Sequence, residues 1–383
     1  MVTLAHRARA HVTAAFAIVL LAVPCARATP TISAGMNETV VMIPADASGD
    51  TQLETTLFKP DGPGPFPVVV FNHGRDAGDP HLQPRSRPLA FAREFVRRGY
   101  LVAVPNRRGF AASTGTYPDT GCDVEADGDA QARDIRATIE WLARSRAVDA
   151  SRIVVAGVSH GGFAALAYGA SAAPGVRGIV NFSGGLRKDQ CVQWQGALTQ
   201  AFRDYGARSH LPTLWFYGSN DRVFDHALVA TLDRVYTEAG GRATLIDYGR
   251  YKDDAHGLVG DRDAVPVWWP AMSQFLTAID MPVAIAFQVD ASRDAARPSR
   301  ASGFAKLEAV DAVPFIDDAG RIGYLSFLGQ AKPRVFAISR SGHWAWAAGG
   351  DDPFAEAIDN CSQKSVTPCK IYAIDDIVVW RPN

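Results

Sequence analysis

Residues 157–161, Gly-Val-Ser-His-Gly, form the segment of this chain whose pattern most directly indicates covalent chemistry. In this pattern a serine sits on a sharp turn between a strand and a helix, and the glycines relieve crowding within the turn. An apolar run at residues 153–155 precedes the turn, and a run of small residues at 163–172 follows it. This context predicts that Ser159 is a nucleophile. A glycine-rich turn with an inert serine is the alternative.

A serine hydroxyl needs two partners to act as a nucleophile: a base that takes its proton, and a carboxylate that holds the base in the right tautomer. With this type of turn the expected chain order is serine, acid, histidine. Asp221 and His256 each come shortly after an apolar run that predicts a strand. We therefore predict a catalytic set of Ser159, Asp221 and His256, with Asp225 as the nearest alternative acid.

Two backbone N–H groups are expected to stabilise the negative charge that develops on the substrate carbonyl oxygen. One belongs to His160, which directly follows the nucleophile, and its side chain is expected to line the pocket. The other should come from a turn after an early strand. Residues 72–75 follow the apolar run at 68–71, so we assign the second donor to the backbone N–H of Arg75, with that of Gly74 as the next candidate.

Short apolar runs alternate with helical patterns over most of the chain, and these elements must position the catalytic residues. Helical periodicity is clearest at residues 89–98 and 129–146. Strands are predicted at residues 67–72, 101–104, 152–156, 178–182, 213–217 and 244–248. Continuous apolar strands joined by helices indicate an α/β fold, with a mainly parallel sheet and helices on both faces.

The pattern divides the chain into four predicted regions. Residues 1–28 are a signal peptide, 29–281 a catalytic domain, 282–300 a linker, and 301–383 a small α+β domain that contains a hairpin. The linker contains a polar stretch rich in alanine and arginine at 290–300, and the alternation of strands and helices does not resume beyond it. We give the small domain no assigned role.

The first thirty residues have the features of an export signal: a basic start, an apolar run at residues 13–23 and a small-x-small cleavage site at 26–28. The apolar run has about half of the ~20 residues that a bilayer-spanning helix needs. We expect an exported protein, periplasmic or secreted, without stable insertion into the membrane.

Four cysteines remain once the signal is removed, namely Cys122, Cys191, Cys361 and Cys369. An even number of cysteines in an oxidising compartment predicts two disulfides. Three pairings are possible, and the positions favour Cys122 with Cys191 and Cys361 with Cys369. The spacings do not form a CxxC zinc pattern, and we expect neither a metal nor a cofactor.

The charge balance constrains the binding partners. The chain has 39 basic and 40 acidic residues, a formal net charge of -1, so it has no basic excess with which to bind nucleic acid. We expect a small ester or other acyl substrate and no nucleic-acid partner. Trp344, Trp346 and Trp380 are expected to pack in a core. The alternative is a surface that contacts the cell envelope, for example cell-wall sugar.

Residues from about 55 to 280 resemble the dienelactone-hydrolase-like and peptidase-like branch of the α/β-hydrolases. The resemblance rests on the turn at 73–74, the loop at 107–109, the segment 157–162 and the segments 218–221 and 255–257. It implies an α/β-hydrolase fold and a serine hydrolase. Dienelactone hydrolases use a cysteine nucleophile, and this chain has Ser159 in its place. The C-terminal part resembles small uncharacterised domains of bacterial exported proteins.

We therefore expect an exported serine hydrolase that cleaves a carboxylic ester or related acyl bond through an acyl-enzyme. An exopeptidase-like or amidase activity is the first alternative, because the same catalytic set can attack amides. A non-catalytic binding protein of the cell envelope, built on a hydrolase scaffold, is the second, because fold alone does not establish activity.

Overall fold

The computed structural model describes residues 31–33, 36–76, 78–83, 85–289, 301–349, 353–362 and 364–382. The strands are β1 (Thr31–Ser33), β2 (Thr39–Pro44), β3 (Gln52–Phe58), β4 (Phe66–Asn72), β5 (Leu101–Pro105), β6 (Val148–Val158), β7 (Val176–Phe182), β8 (Pro212–Tyr217), β9 (Arg242–Asp247), β10 (Phe287–Val289), β11 (Arg334–Ser339), β12 (Trp344–Ala348), β13 (Cys369–Ile374) and β14 (Ile377–Val378). The helices are α1 (Leu89–Val96), α2 (Val124–Leu142), α3 (His160–Gly169), α4 (Trp194–Arg208), α5 (His226–Glu238), α6 (Val265–Ala278), α7 (Asp318–Leu328) and α8 (Pro353–Ser362).

The large sheet has eight strands in the order β2-β3-β5-β4-β6-β7-β8-β9. The six strands from β5 to β9 along this order run parallel, whereas β2 and β3 pair antiparallel with their neighbours. Every residue of β4 and of β5 is buried, as expected for strands covered on both faces. The predicted α/β fold with a mainly parallel sheet is confirmed.

Two hydrophobic clusters cover the two faces of this sheet. One cluster packs α2, α3, α4 and α5 against one face, and the other packs α1 and α6 against the opposite face. Helix α2 begins five residues before its predicted start, because the Asp123 side chain accepts a hydrogen bond from the backbone N–H of Ala126 and caps the helix there. The prediction of helices on both faces is confirmed.

Strands β2 and β3 were not predicted from the sequence. The buried stretch of β3 contains Glu54, Thr55 and Thr56, and these polar residues obscure the apolar pattern of a buried strand. The Glu54 carboxylate accepts hydrogen bonds from the side chain of Asn106 and the backbone N–H of Ala112. Such partners lie far along the chain, so only the folded chain can satisfy this buried carboxylate.

The C-terminal unit is a four-stranded antiparallel sheet in the order β12-β11-β13-β14, with α7 on one face and α8 on the other. The α+β architecture and the hairpin between β11 and β12 agree with the sequence prediction. Helix α7 was missed, because Gly320 and Gly323 weaken its helical propensity. A Cβ at Gly323 would lie 2.1 Å from the Trp344 ring, so packing of this ring requires glycine.

The three tryptophans of this unit contribute mainly to its core. Trp346 is buried, and Trp344 and Trp380 are half-buried against the same cluster. The Trp344 ring stacks on Phe336, with ring centroids 5.9 Å apart. These contacts support the predicted packing role of the three tryptophans over the alternative of an exposed binding surface.

Both predicted cysteine pairs form disulfides, Cys122 with Cys191 and Cys361 with Cys369. Within the predicted linker, β10 pairs in parallel with β1. The predicted signal peptide and residues 290–300 of the linker lie outside the described residues. Among the residues that are described, no helix is long and apolar enough to cross a bilayer.

Candidate active site

Ser159 lies between the end of β6 and the start of α3, as the sequence predicts. Its backbone has φ 54° and ψ -124°, in the left-handed region that non-glycine residues rarely adopt. A residue held there costs of order 1–3 kcal/mol, and such strain is concentrated at functional sites. The conformation places the serine at the top of a sharp strand-to-helix turn.

Close backbone packing explains the glycines around this serine. A Cβ at Gly157 would lie 2.2 Å from the carbonyl oxygen of Gly161, and a Cβ at Gly161 would lie 2.0 Å from the carbonyl oxygen of Asn72. Larger residues at either position would force the backbone apart. The turn is therefore packed against itself and against the end of β4.

Asp221 and His256 come together at the carboxyl ends of β8 and β9. The imidazole Nδ1 of His256 lies 3.0 Å from Oδ2 and 3.1 Å from Oδ1 of Asp221. Because the carboxylate accepts, this Nδ1 carries the proton, and Nε2 is free to act as a base. Ser159 follows β6 at the same edge of the sheet, since β6 to β9 are parallel neighbours.

The Asp221 side chain is fully buried, and burial opposes its ionisation. Hydrogen bonds from His256 and from the backbone N–H groups of Phe224 and Val223 outweigh this effect and hold the pKa of the carboxyl below its usual value. Asp225, the alternative acid, instead caps α5 by accepting a hydrogen bond from the backbone N–H of Leu228. The geometry therefore favours Asp221 over Asp225 as the partner of His256.

Asp254 is a positioning residue that the sequence analysis did not identify. Its Oδ1 accepts hydrogen bonds from the backbone N–H groups of His256, at 3.0 Å, and Arg222, at 3.2 Å. It therefore links the loop that carries the histidine to the loop that carries Asp221. The spacing Asp254-Ala-His256 is a recognisable signal, because an aspartate side chain often bonds the backbone two residues on.

The turn after β4 packs against the nucleophile. A Cβ at Gly74 would lie 3.3 Å from the Cβ of Ser159, so the backbone next to Arg75 approaches the serine closely. His160 is the first residue of α3, where backbone N–H groups have no partner within the helix. The structure thus brings both predicted N–H donors to the neighbourhood of Ser159.

Arg107 holds this turn in place, although the sequence analysis left it outside the catalytic set. Its guanidinium is fully buried and donates hydrogen bonds to the carbonyl oxygens of His73 and Gly74. The backbone N–H of Arg107 donates to Nε2 of His73, and Nδ1 of His73 donates to the Gly74 carbonyl oxygen at 2.6 Å. His73 is therefore a neutral imidazole with both ring nitrogens hydrogen-bonded.

The His160 side chain lies in a polar contact rather than beside the base. Its Nδ1 is 3.2 Å from the Tyr117 hydroxyl, and the Arg75 guanidinium lies 4.6 Å from the centre of the Tyr117 ring. Burial, together with the positive charges of Arg107 and Arg75, lowers the pKa of His160 well below its usual value. A neutral imidazole there accepts a hydrogen bond from the Tyr117 hydroxyl, so Tyr117 contacts the residue that directly follows the nucleophile.

The Cys122–Cys191 disulfide joins the loop before α2 to the loop before α4. Lys188, three residues before Cys191, forms ion pairs with Asp119 and Asp127. The loop segment that contains Tyr117 is thereby linked to the segment after β7. Among the described residues, no cluster of three or more side chains could hold a metal ion.

Comparisons with known proteins place this site in a family. Residues 48–274 match the model of the X-Pro dipeptidyl-peptidase (S15) family. A segment of 124 residues is 31% identical to the quorum-quenching protein AidA of Acinetobacter baumannii (strain MDR-ZJ06). That alignment covers 32% of this chain and 38% of AidA, so it spans well under half of the curated relative.

Several solved structures are similar to part of this chain. A candidate dienelactone hydrolase of Klebsiella pneumoniae has 17% identity and a TM-score of 0.45, covering 62% of this chain and 98% of that one. The acylaminoacyl peptidase of Pyrococcus horikoshii has 13% identity and a TM-score of 0.48, covering 66% and 42%. The esterase Pf2001 of Pyrococcus furiosus has 16% identity and a TM-score of 0.46, covering 65% and 98%. These similarities are too distant to indicate a substrate.

Proposed function

The chain belongs to the X-Pro dipeptidyl-peptidase (S15) family of serine hydrolases, and within this reaction class we propose that it is an exported hydrolase that cleaves a carboxylic ester or related acyl bond. The observation that carries the proposal is the hydrogen bond between His256 and Asp221 at the sheet edge where Ser159 occupies its strained turn. A purely structural scaffold does not require this combination.

The proposed reaction is acyl transfer to water in two steps. His256 Nε2 takes the proton of the Ser159 hydroxyl while Oγ attacks the substrate carbonyl carbon. Asp221 holds the imidazole tautomer and stabilises the imidazolium that forms. The developing oxyanion accepts hydrogen bonds from the backbone N–H groups of His160 and Arg75.

Collapse of the tetrahedral intermediate expels the leaving group, which takes the proton from His256 and leaves an acyl group on Ser159. Water then attacks the acyl-enzyme with His256 again acting as base, and the serine is regenerated. The two steps balance without a metal or an organic cofactor.

Cleavage of a peptide or other amide bond is the second candidate, and the family match favours it. The same residues would serve, because the imidazolium can protonate a leaving amine. Parallel assays of a p-nitrophenyl ester and the p-nitroanilide of the same acyl group separate the candidates. Turnover of the ester alone supports the first proposal, and turnover of the anilide alone reverses the choice.

A fluorophosphonate probe tests the nucleophile directly. We expect a single adduct on Ser159 of the purified, disulfide-intact protein, located by mass spectrometry, and no adduct after heat unfolding. Ser159→Ala should abolish both labelling and hydrolysis. A labelled serine elsewhere, or full hydrolysis by Ser159→Ala, would overturn the assignment of the nucleophile. No adduct and no turnover on the folded protein would favour the binding-protein alternative.

Export is part of the proposal, and the two disulfides support it, because disulfides persist in oxidising compartments. N-terminal sequencing of the protein from periplasmic and culture fractions provides the test. We expect the mature chain to begin near Thr29. A chain that keeps residues 1–28 and remains in the cytoplasm would contradict this part of the proposal.

A further inference from the structure

A cleft lies between the unit built on the eight-stranded sheet, the hydrolase unit (described residues 31–289), and the C-terminal unit (described residues 301–382). Its volume is about 410 Å³, within the range of ligand sites. One wall comes from the hydrolase unit, at Glu54, residues 81–83, Arg85 and Ala111, and the other comes from residues 341–346 with parts of α7 and α8. The proposed catalytic residues do not line it.

The outer edge of β12 faces this cleft. All six residues from 341 to 346 line it, although side chains of a strand point alternately to opposite faces. Both Ala319 of α7 and Asn360 of α8 also line it, and these helices lie on opposite faces of the small sheet. A cavity that reaches both faces must run along the edge of the sheet, and β12 is the edge strand.

The hydrogen-bond pattern shows which backbone groups face outward. The backbone N–H of Ser339 donates to the carbonyl oxygen of His343, and the N–H of Gly349 donates to that of Pro333. In an antiparallel pair, alternate residues bond to the same neighbour. His343 and every second residue after it therefore bond to β11, and the N–H and C=O groups of Trp344 and Trp346 point away from it.

These outward groups of Trp344 and Trp346 have no hydrogen-bond partner elsewhere in the described part of the chain. An edge strand with unpaired backbone groups is a template for another strand. The side-chain amide of Asn360 in the same wall is also unpaired, although Asn360 is only 7% exposed. Both observations indicate that polar groups in this wall of the cleft are left without hydrogen-bond partners.

We propose that the edge of β12 binds an extended segment of a polypeptide, which adds to the small sheet as a further strand. At strand spacings of about 4.8 Å by 10 Å and a rise of about 3.3 Å per residue, an extended residue occupies about 160 Å³. At that volume per residue, the cleft accommodates about two to three extended residues. Main-chain hydrogen bonds give affinity in this mode, and side-chain pockets give selectivity.

The charges of the walls suit an uncharged main chain. Glu54 and Asp317 bring negative charge and Lys364 and Arg85 bring positive charge. Arg85 is also paired with Glu38, at 2.8 Å. The lining therefore has no strong excess of either sign, and it favours recognition of neutral peptide groups over a highly charged ligand.

The cleft adjoins the loop that carries the proposed oxyanion donor. Gln83 in its wall exchanges two hydrogen bonds with the backbone of Asp76, at 2.8 Å and 3.1 Å, and Asp76 directly follows Arg75. A polypeptide bound along β12 would thus share a wall with Gln83, which is hydrogen-bonded to a loop of the candidate active site. The binding inference itself does not rest on the proposed reaction, because the cleft does not require an active Ser159.

The test uses the full mature chain with Ser159→Ala, so that no probe is consumed and a failure of the catalytic proposal does not affect the result. The probes are blocked pentapeptides, acetyl-Thr-Val-X-Val-Thr-amide, with X varied. Hydrogen–deuterium exchange is followed over residues 341–349. We expect at least one peptide to slow exchange of the Trp344 and Trp346 amides about tenfold or more. The same peptide N-methylated at its central residues, which removes donors on both edges, should have no effect.

A variant that fills the cleft and a matched variant outside it control for folding. Ala319→Trp introduces a large ring into the cleft wall and should weaken peptide binding about tenfold or more. Leu325→Trp introduces the same ring on the same helix, at a side chain that is 55% exposed and does not line the cleft, and should leave binding unchanged.

Several outcomes would overturn the proposal. Equal binding of the N-methylated peptide would exclude recognition of the main chain. Protection by cellotriose and not by any peptide would identify a sugar site instead. Strong protection of the Trp344 and Trp346 amides before any probe is added would indicate that another segment of this chain covers the edge. No protection by any probe would exclude the site.

Discussion

A buried arginine stabilises backbone carbonyl groups in each of the two units, with different consequences. Arg107 of the hydrolase unit donates to the carbonyl oxygens of His73 and Gly74, beside the proposed nucleophile. Arg334 of the C-terminal unit donates to the carbonyl oxygens of Leu328 and Gln330, at the end of α7. One arginine shapes the turn that carries a proposed oxyanion donor, and the other caps a helix.

The residues around Arg107 and around Arg334 also differ in polarity. Near Arg107 lie a strained Ser159, the buried imidazole of His73 and the half-buried imidazole of His160, and desolvation is the main cause that lowers the pKa of both rings. Near Arg334, the neighbouring core is made largely of aromatic and aliphatic side chains. The comparison indicates that costly buried polar groups are concentrated where chemistry is proposed, whereas the C-terminal unit uses its buried charge for stability.

Substitution of Asp221 is expected to have the largest effect, and it separates catalysis from folding within the hydrolase unit. Asp221→Asn should lower kcat by about 10⁴-fold, because the amide stabilises the wrong tautomer of the histidine. Asp225→Asn is the matched control, since Asp225 caps α5 and should affect only stability. Ester hydrolysis and circular dichroism of both variants provide the measurement. Equal losses of activity would indicate that Asp221 is not the partner of His256.

The disulfides predict a difference in stability between the units. Cys122 and Cys191 are separated by 69 residues, and Cys361 and Cys369 by 8. On the chain-entropy model, loss of the disulfide that closes the longer loop should lower the unfolding free energy by about 4 kcal/mol, and loss of the other disulfide should lower it by about 2.5 kcal/mol. Urea unfolding of the two double Cys→Ser variants tests this. A larger loss from the shorter loop would show that local packing, not loop length, decides stability.

The arginines themselves can be exchanged for methionine. Arg107→Met should lower kcat about 10- to 100-fold with little change in KM, because the turn that positions the Arg75 N–H loses its support, and removing an oxyanion donor outright costs about 10²–10³-fold. Arg334→Met should leave kcat unchanged and cost about 1.5–3 kcal/mol of unfolding free energy for a lost charged hydrogen bond. Arg107→Lys should restore part of the rate. Equal effects of both methionine variants on kcat would show that Arg107 supports catalysis no more than Arg334 does.

Acid should destabilise the hydrolase unit through His73, which is buried, and His160, which is half-buried. Burial, with the charge of Arg107, holds the pKa of His73 and of His160 well below 6.5, so the folded protein keeps both neutral. Below about pH 6.5 the unfolded chain binds protons that the folded chain does not, and each histidine lowers the unfolding free energy by up to about 1.4 kcal/mol per pH unit. This stability is fully present above that pH and is lost as the pH falls.

Urea unfolding between pH 7.5 and 5.5 measures the slope. His73→Asn keeps a donor toward the Gly74 carbonyl and removes the titrating ring, so the slope should decrease by about one proton. The pH dependence is the readout, because the substitution also costs some stability at neutral pH through lost packing on Phe110. An unchanged slope would mean that His73 is protonated in the folded protein.

Much of the fold and of the candidate site could be predicted because the relevant signals are local. Fully buried strands such as β4 appear as continuous apolar runs, and the glycines around Ser159 are required by contacts within the turn and with β4. Asp221 and His256 could be placed because each follows such a strand, and carboxyl ends of parallel strands share one edge. The cysteine pairing also followed from position.

The elements that were missed depend on distant partners. Glu54 disguises β3, because its partners Asn106 and Ala112 come about fifty residues later. Gly323 argues against α7 in the sequence and is explained only by the Trp344 ring that packs on it. The roles of Asp254 and Arg107 likewise require two loops to meet.

The sequence by itself determined the class of fold and the chain order of the proposed catalytic residues, since apolar periodicity and short motifs are properties of neighbouring residues, and it favoured the cysteine pairs that form. Only the tertiary structure decided which carboxylate meets His256, which arginine supports the turn at Arg75, and that the edge of β12 is left unpaired beside a cleft. These are contacts between segments far apart in the chain. Their geometry is set by packing of the sheet, helices and loops, which no local pattern encodes.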